Sequence, residues 1–252
     1  MKKKIFIHHH IFKNAGTSID KSFKEIFGDH MYFYDMNIPG GVVSNHMLID
    51  FIYKKINGFP ACISSHQTCL SVKGANNFKF IEFVMLRNPL RRFLSMYNYY
   101  KRIQLSGDKL ENLAKEKTFR EFVEYISNNS KVISSNFQTN FCSKTDSIRR
   151  KIVKDDLERA KDNLSHNVKN IGVVERFNDS VKIFNQVLRE NEINGEMIIY
   201  KENSSRDILD PIKYIKDSLG TSLYHKVKAQ NVFDFELYNF ANKLLDIRVE
   251  NL

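Results

Sequence analysis

The segment FKFIEFVMLR, residues 78–87, constrains the fold most, because it is a nearly unbroken apolar run. A run of this length without alternation is typical of a strand covered on both faces, as in the centre of a parallel sheet. Parallel neighbours need long crossover connections, which are usually helices. Helical patterns do alternate with strand-like runs along this chain. We therefore predict a three-layer α/β fold, with helices flanking a central, mostly parallel sheet.

The predicted elements follow one another without a linker, a repeat or a low-complexity stretch, so we expect a single domain over residues 1–252. Asn88 is suited to cap a helix that begins at Pro89, and Gly28 is suited to end one. Strands are predicted at 4–10, 59–66, 78–87, 168–176 and 196–200. Helices are predicted at 17–28, 46–56, 89–104, 118–128, 147–164, 177–190 and 230–249.

The chain is strongly basic. It has 39 Lys and Arg residues against 29 Asp and Glu residues, which gives a formal net charge of +10 and a pI near 9.3. This excess favours an anionic partner, such as nucleic acid, a membrane surface, a polyanionic glycan or a nucleotide. Charge alone does not choose among these classes.

The cysteines indicate a reducing compartment. Cys62, Cys69 and Cys142 are odd in number and show no CxxC spacing, so we expect free thiols rather than disulfides or a zinc site. The N-terminal segment starts like a secretory leader, but His8 interrupts its apolar run and argues against a signal peptide. No stretch approaches the ~20 apolar residues of a membrane-spanning helix. We therefore expect a cytoplasmic protein.

The segment KNAGTS, residues 13–18, has the composition of an anion-binding corner between a strand and a helix. The first N–H groups of a helix lack internal partners, and together with the helix dipole they attract anions. Gly16 permits close approach of the backbone, Thr17 and Ser18 add hydroxyls, and Lys13 adds a charge. In ATP-binding P loops, GxxxxGK[ST], the lysine directly precedes the hydroxyl residue. The different order here argues against a kinase or an ATPase.

Three consecutive histidines precede this corner and allow other interpretations. They lie inside a hydrophobic strand rather than at a flexible end, which argues against a purification tag. His8 and His10 share one face of the strand and His9 points away, so at most two can chelate together, and we expect no metal site. An ordinary strand–turn–helix corner, capped by a Thr or Ser hydroxyl, is the non-functional alternative.

A second cationic segment, RNPLRRFLS, follows the central strand. Arg87, Arg91 and Ser95 are spaced by four residues and share one side of the predicted helix. An arginine fork and a hydroxyl can hold a phosphate together. Taken alone, the segment is better explained by a charge at the start of a helix and a solvated basic face.

Together, KNAGTS after the first strand and RNPLRRFLSMYNY after the central one resemble the paired motifs of the sulfotransferase superfamily. NFQTNF at 136–141, IGVVERF at 171–177 and DFELYNFA at 234–241 are similar to its carbohydrate branch, which includes the heparan sulfate 2-O-sulfotransferases. The resemblance extends from residue 5 to near the end of the chain. It implies a P-loop NTPase-like fold, the sulfuryl donor PAPS (3′-phosphoadenosine 5′-phosphosulfate), the product PAP and no metal.

The resemblance also implies a role for each residue of the two motifs. Lys13 would contact the bridging oxygen and stabilise charge on the leaving phosphate. Arg87 and Ser95 would hold the 3′-phosphate. Many relatives have Asp where this chain has Asn88; both residues cap helices, so we expect little effect. The 5′-phosphate would be cradled by Asn14, Ala15, Gly16, Thr17 and Ser18.

A sugar hydroxyl is a poor nucleophile and needs a general base. The best candidate is His66 in ISSHQTCL, because it follows a predicted strand and so falls at the edge where open α/β sheets place their sites. Similar carbohydrate sulfotransferases have a His or a Glu in that region. His8, His9 and His10 are the second candidates, although histidines in strands are more often packed and hydrogen-bonded.

Two later segments carry weaker expectations. Glu175 and Arg176, which end a predicted strand in VVERF, are expected to form a structural ion pair. The segment ENSSRD at 202–207 is a candidate for a loop over the nucleotide, with Arg206 as a phosphate contact.

The sequence therefore predicts an enzyme that transfers a sulfuryl group from PAPS to a carbohydrate hydroxyl. Its partners would be the nucleotide donor and a carbohydrate, for which the net charge of +10 favours an anionic polymer, and not nucleic acid. The sequence does not indicate an oligomeric state. The alternative is a non-catalytic, basic α/β protein that binds a polyanion or nucleic acid. Selectivity for a 3′-phosphorylated adenosine nucleotide would distinguish the two, because general polyanion binding shows a steep salt dependence instead.

Overall fold

Five strands form one parallel sheet. The computed structural model describes residues 2–38, 40–74, 76–104, 107–145, 151–168, 170–198 and 209–252. The strands are β1 (Lys3–His9), β2 (Met31–Phe33), β3 (Ala61–Ser65), β4 (Phe78–Leu86) and β5 (Asn170–Val173). Their order in the sheet is β2-β3-β1-β4-β5, and all four neighbouring pairs are parallel.

Helices connect the strands and flank the sheet, which confirms the predicted fold class. The helices that precede β5 in the chain are α1 (Gly16–Phe27), α2 (Asn45–Lys55), α3 (Pro89–Arg102), α4 (Lys109–Glu116), α5 (Phe119–Asn129), α6 (Lys131–Ser134), α7 (Phe137–Ser143) and α8 (Lys154–Asp162). Helix α9 (Phe177–Glu190) comes after β5. The last two helices of the chain are α10 (Pro211–Gln230) and α11 (Val232–Val249).

Both faces of the sheet are buried, as the unbroken apolar run in β4 predicts. Phe6 of β1 contacts Phe27 of α1 on one face, with the ring centroids 5.0 Å apart. Its neighbours Ile5 and Ile7 point to the other face, where they pack in a cluster with Leu48 of α2. These side chains are almost fully excluded from water, and each such burial contributes about 1.5–3 kcal/mol.

A separate apolar cluster is formed by α3, α4, α5 and α10. The sequence analysis did not predict α10. Its buried residues Ile215, Leu219, Leu223 and Val227 recur every four positions, so they form a narrow stripe among polar residues. Gly220 has a φ of 70° and kinks the helix inside that stripe. A narrow and interrupted apolar pattern is a weak helix signal.

Two predicted elements were placed wrongly. The helix predicted at 147–164 begins only at Lys154 within the described residues, because the Asp156 carboxylate accepts a hydrogen bond from Val153 N (3.0 Å) and starts the helix there. The described part of the strand predicted at 196–200 is not a strand. Met197 N donates to Asn185 Oδ1 and Ile198 N donates to Ser22 Oγ, so side chains take the place of a neighbouring strand.

As predicted, the cysteines are thiols: Cys62, Cys69 and Cys142 are buried, and none of them is in a disulfide. Burial desolvates the Cys142 thiol and raises its pKa well above the usual range, so the thiol is protonated at neutral pH. Among the described helices, none has both the length and the apolar composition that crossing a bilayer requires.

Candidate active site

The candidate residues meet at the carboxyl edge of the sheet. Because all the strands are parallel, the residues that follow β1, β3, β4 and β5 lie at the same edge. Lys13 follows β1, His66 follows β3, Arg87 follows β4 and Glu175 follows β5. Ligands of open α/β sheets bind at this edge.

The 13–18 segment has the backbone geometry of an anion-binding concavity. Lys13 and Ala15 adopt left-handed conformations with φ of 67° and 62°. Helix α1 then starts at Gly16, and Ala15 provides no side-chain cap for it. A left-handed residue followed by a helical one directs successive N–H groups toward one point. The first N–H groups of α1 are therefore available to an anion.

Asn14 supports this segment from inside the protein. Its Nδ2 donates to Met85 O (2.8 Å) and to Gln138 Oε1 (2.7 Å), and the residue is buried. Its backbone N–H donates to Ile11 O at 3.1 Å. The side-chain amide nitrogen and the backbone N–H of Asn14 are thus engaged within the protein, which holds the segment at a set position beside β4.

Gln138, on α7, joins the two sequence motifs. Its Oε1 accepts from Asn14 Nδ2 and from Arg87 N (2.8 Å), while its Nε2 donates to Arg87 O at 2.8 Å. The side chain is fully buried. Sequence reasoning missed Gln138 as a site residue, although it lies inside the NFQTNF segment on which the family resemblance partly rests.

The NFQTNF and DFELYNFA segments cap each other's helices. The Asp234 carboxylate accepts from Gln138 N (3.1 Å), Thr139 N (2.7 Å) and Thr139 Oγ1 (2.8 Å) at the start of α7. In return, Asn136 Oδ1 accepts from Phe233 N and Asp234 N at the start of α11. This reciprocal capping orients α7 and places Gln138 between the two motifs.

Arg87 contacts the 13–18 segment directly. Its Nη1 donates to Lys13 O at 2.9 Å, and its Nε lies 3.9 Å from Glu175 Oε1. The same carboxylate oxygen lies 3.5 Å from Arg91 Nε, and Glu175 Oε2 accepts from Asn88 N. Burial lowers the pKa of Arg87 to about 10, so the guanidinium stays charged at neutral pH.

The expected pairing of Glu175 with Arg176 is therefore replaced by two separate sets of contacts. Glu175 pairs with Arg87 and Arg91, whereas Arg176 pairs with Asp179 at 2.9 Å and with Asp246. Both residues lie in a 3-10 turn that follows β5, and each is engaged with partners on other elements or further along the chain.

The Lys13 ammonium lies over an aromatic ring. Its Nζ is 4.1 Å from the centroid of Tyr99 on α3, within the range of a cation–π contact. Burial, followed by the charges of Arg87 and Arg102, lowers the pKa of Lys13 to about 8. At pH 7 most of this lysine is still protonated, so it supplies a positive charge next to the 13–18 segment.

The three hydroxyl candidates lie near the N-termini of two helices. Thr17 is exposed and Ser18 is half-buried in the first turn of α1. Ser95 is half-buried in the second turn of α3, four residues after Arg91. The Asn88 side chain caps α3, accepting from Leu90 N at 3.0 Å, as the sequence predicts.

His9 has a structural role. Its Nδ1 bonds to Thr68 Oγ1 at 2.9 Å and its Nε2 to Glu82 Oε2 at 2.7 Å, and the ring is fully buried. Both ring nitrogens are engaged inside the protein, so His9 has no free nitrogen for an acceptor.

His66 has the geometry of a general base. Its Nδ1 lies 2.8 Å from His10 O, and because a carbonyl oxygen can only accept, Nδ1 carries the proton. The lone pair is then on Nε2. The backbone N–H of His66 donates to Asp35 Oδ1 at 2.8 Å, which fixes the residue at the end of β3. Desolvation and the neighbouring His10 lower the pKa of His66, so the neutral form dominates at pH 7.

His8, His10 and Asp20 form a hydrogen-bonded triad. His8 Nδ1 lies 2.6 Å from Asp20 Oδ1, and His10 Nδ1 lies 2.8 Å from Asp20 Oδ2. Ligand-capable atoms of the three residues all lie within 4.8 Å of one another, so Asp20 adds a third such group to the face that His8 and His10 share. The sequence offers no periodic signal for this, because the pairing depends on how α1 folds back onto β1.

Both contacts of the triad are hydrogen bonds to the Asp20 carboxylate. Each carboxylate oxygen of Asp20 accepts from one imidazole N–H. Despite its partial burial, Asp20 has a pKa well below its usual range, because the adjacent His8 and His10 favour the ionised carboxylate.

We expect the substitution Gly16→Ala to destabilise the protein by about 1–3 kcal/mol, since overfilling a packed site costs that much. A Cβ on Gly16 would lie 2.0 Å from His10 Cδ2 and 2.1 Å from His10 Nε2. Urea denaturation measures the loss. In a His10→Ala background the same substitution should destabilise the protein less, by a difference of at least about 1 kcal/mol, because the ring that clashes with the new Cβ is absent. Strictly additive losses would contradict this explanation.

The fold and the site define a P-loop-like α/β protein with two cationic groups beside an open helix N-terminus. The chain belongs to the sulfotransferase family, whose model matches residues 2–241. Sulfuryl transfer is therefore its class of reaction.

Two similar proteins span nearly the whole chain. A protein from Archaeoglobus fulgidus, described as uncharacterized, is 24% identical over 259 residues, which cover 99% of each chain. The crystal structure of a sulfotransferase from Alicyclobacillus acidocaldarius aligns with a TM-score of 0.46 and 14% identity, over 91% of this chain and 96% of that one.

Arg206, the predicted phosphate contact in the 202–207 segment, lies outside the described residues.

Proposed function

We propose that this protein transfers a sulfuryl group from PAPS to a hydroxyl of a carbohydrate acceptor. The observation that carries the proposal is the direct contact between its two motifs: Arg87 Nη1 donates to Lys13 O, and one Gln138 side chain binds both Asn14 and Arg87. Two segments that are 74 residues apart thus form one cationic site at the carboxyl edge.

The described residues fit an anionic donor with two phosphate groups. The open N–H groups at the start of α1 suit one anionic group, and the buried guanidinium of Arg87 suits another. When bound, PAPS supplies the sulfuryl group and leaves as PAP. Lys13 and Arg87 provide the positive charge that a metal ion provides in many phosphate sites, and we propose that the protein works without one.

Each residue then has a defined task. Lys13 stabilises the negative charge that develops on the leaving phosphate, because it is the first residue of the 13–18 segment and carries a positive charge at pH 7. The 3′-phosphate is bound by Arg87 and Ser95. Asn14 holds the 5′-phosphate cradle from inside, and the cradle itself is formed by Ala15, Gly16, Thr17 and Ser18.

His66 acts as the general base. Its Nδ1–H is committed to His10 O, so the lone pair is on Nε2, and the residue is exposed. The proton of the acceptor hydroxyl moves to Nε2 as the oxygen attacks the sulfur. The neutral imidazole that desolvation favours is the form that can accept this proton.

The carbohydrate acceptor is supported by the resemblance of the later segments to the carbohydrate branch, and the net charge of +10 favours an anionic one. We further propose that the chain acts as a single domain in the cytoplasm, in keeping with its three buried free thiols. Neither the class of acceptor nor the cytoplasmic location depends on the donor site.

The donor site is tested by calorimetric titration with PAP and, in parallel, with ADP. We expect tight binding of PAP, weak binding of ADP, and a loss of about 10–100-fold in PAP affinity for Lys13→Ala and for Arg87→Ala, since each removes a charged hydrogen-bonding group. Matched controls are Lys54→Ala and Arg189→Ala, which remove exposed charges in the last turns of α2 and α9.

Equal binding of PAP and ADP, with a steep salt dependence, would instead favour the non-catalytic polyanion-binding protein. Once the donor site is established, the acceptor is sought with PAPS and a panel of p-nitrophenyl glycosides and desulfated glycosaminoglycans. A panel without any sulfated product would contradict the carbohydrate acceptor but not the donor site.

A further inference from the structure

The imidazole of His10 lies between the 13–18 segment and the candidate base. One edge of the ring, formed by Cδ2, Nε2 and Cε1, lies so close to Gly16 that a Cβ there would be 2.0–2.6 Å from these three atoms. The ring centroid is 3.9 Å from that of His66. His10 therefore borders both the segment that would bind the donor and the residue that would receive the acceptor's proton.

The state of the His10 ring follows from its partner. Nδ1 lies 2.8 Å from Asp20 Oδ2, and because a carboxylate only accepts, Nδ1 carries a proton. Nε2 is the remaining nitrogen, and it lies on the edge that faces Gly16. Asp20 is on α1, the helix whose first turn contains Gly16, so the ring and the helix start are held together.

We infer that Nε2 of His10 takes up a proton when the donor nucleotide binds and donates the resulting N–H to an oxygen of the bound anionic group. The inference rests on the proposed function and adds a residue to its donor site. One proton passes from solvent to the Nε2 lone pair, and no covalent bond of the nucleotide changes. The positive imidazolium is then flanked by the bound anion and by the Asp20 carboxylate.

The groups around His10 shift its pKa in both directions, so an added anion can change its protonation. Burial and the neighbouring His8 lower the pKa of His10, whereas the carboxylates of Asp20 and Asp35 raise it. His66 adds a neutral ring on one side. In the free protein the lowered pKa leaves His10 neutral at pH 7. A bound anion raises that pKa, so binding takes up a proton and strengthens as the pH falls.

The test is titration calorimetry with PAP at pH 7 in two buffers of different ionisation enthalpy, which gives the number of protons taken up per bound nucleotide. The key variant is His10→Asn, because the asparagine amide can still donate to Asp20 from near the Nδ1 position but has no counterpart of Nε2. The matched control is His66→Asn, the same change on the adjacent ring. The phosphates of PAP also titrate, but their contribution is common to all three proteins.

We expect the wild type to take up about one proton more per PAP than His10→Asn does, and the His66→Asn protein to match the wild type. Equal uptake by the wild type and His10→Asn would overturn the inference, and so would a loss confined to His66→Asn. Absence of PAP binding to the wild type would overturn the proposed function itself, which is a different result.

A second measurement does not depend on the folding of any variant. In the wild type with ¹⁵N-labelled histidine, PAP should convert one of the eight imidazoles from the neutral pattern to the imidazolium pattern at pH 7. A spectrum in which every imidazole keeps its protonation state on PAP binding would also overturn the inference.

Discussion

Replacing Gln138 by alanine is expected to destabilise the protein by about 3–5 kcal/mol and to weaken PAP binding about 100-fold. The substitution removes three buried hydrogen bonds at once, of 2.7, 2.8 and 2.8 Å. It leaves Asn14 Nδ2 with one partner fewer and strands the N–H and C=O of Arg87, and each stranded buried group costs about 1–3 kcal/mol. The weaker binding follows because Arg87 and the 13–18 segment lose their common support, and a misplaced donor forfeits a charge-assisted hydrogen bond to the nucleotide that contributes about 1.5–3 kcal/mol.

Urea denaturation measures the first effect and calorimetry with PAP measures the second. The control is Gln230→Ala, which removes a half-buried glutamine whose Nε2 makes a 3.2 Å bond to Ser127 O, and about 1 kcal/mol is expected there. If the alanine variant does not fold, the same measurements are made on Gln138→Met, which keeps the side-chain volume. A folded Gln138 variant with the PAP affinity of the wild type would show that the two motifs are positioned independently of this side chain.

Replacing His66 by asparagine is expected to lower kcat about 10²–10⁴-fold while PAP affinity changes less than about threefold, the range for loss of a general base. The asparagine amide can still donate to His10 O, so the loop keeps its conformation and only the Nε2 lone pair is lost. The assay uses PAPS and the best glycoside acceptor from the panel described above.

The control for His66 is His166→Asn, because His166 is highly exposed and lies between α8 and the start of β5, not at the carboxyl ends of the strands. Its kcat should equal that of the wild type. If His66→Asn transferred sulfate at the wild-type rate, the base would have to be another group.

Local features of the site were predictable because short-range chemistry decides them. Helix α3 begins at Pro89 behind the Asn88 cap, and α1 ends where Gly28 takes a positive φ of 54°. The position of His66 directly after β3 also followed from the sequence, since a strand that ends in a polar residue delivers that residue to the carboxyl edge of a parallel sheet.

The contacts that connect the site could not be predicted in the same way. Asn14 and Gln138 are 124 residues apart, and Gln138 lies in a seven-residue helix without a marked apolar periodicity. Its role depends on the capping of α7 by Asp234, which is 95 residues further along the chain from Thr139. Asp20 looks like an ordinary polar residue of an amphipathic helix until α1 packs on β1 and brings it to His8 and His10.

The sequence by itself determined the class of fold, the two cationic motifs and the edge of the sheet where they lie. These follow from apolar periodicity, capping and the parallel direction of the strands, which act over a few residues or apply to every parallel sheet. The tertiary structure alone decided which side chains meet: Gln138 with both motifs, Glu175 with Arg87, and Asp20 with His10. Such pairings depend on the packing of distant helices against the sheet, because hydrogen-bond partners must approach within about 3 Å, and no local pattern specifies that distance.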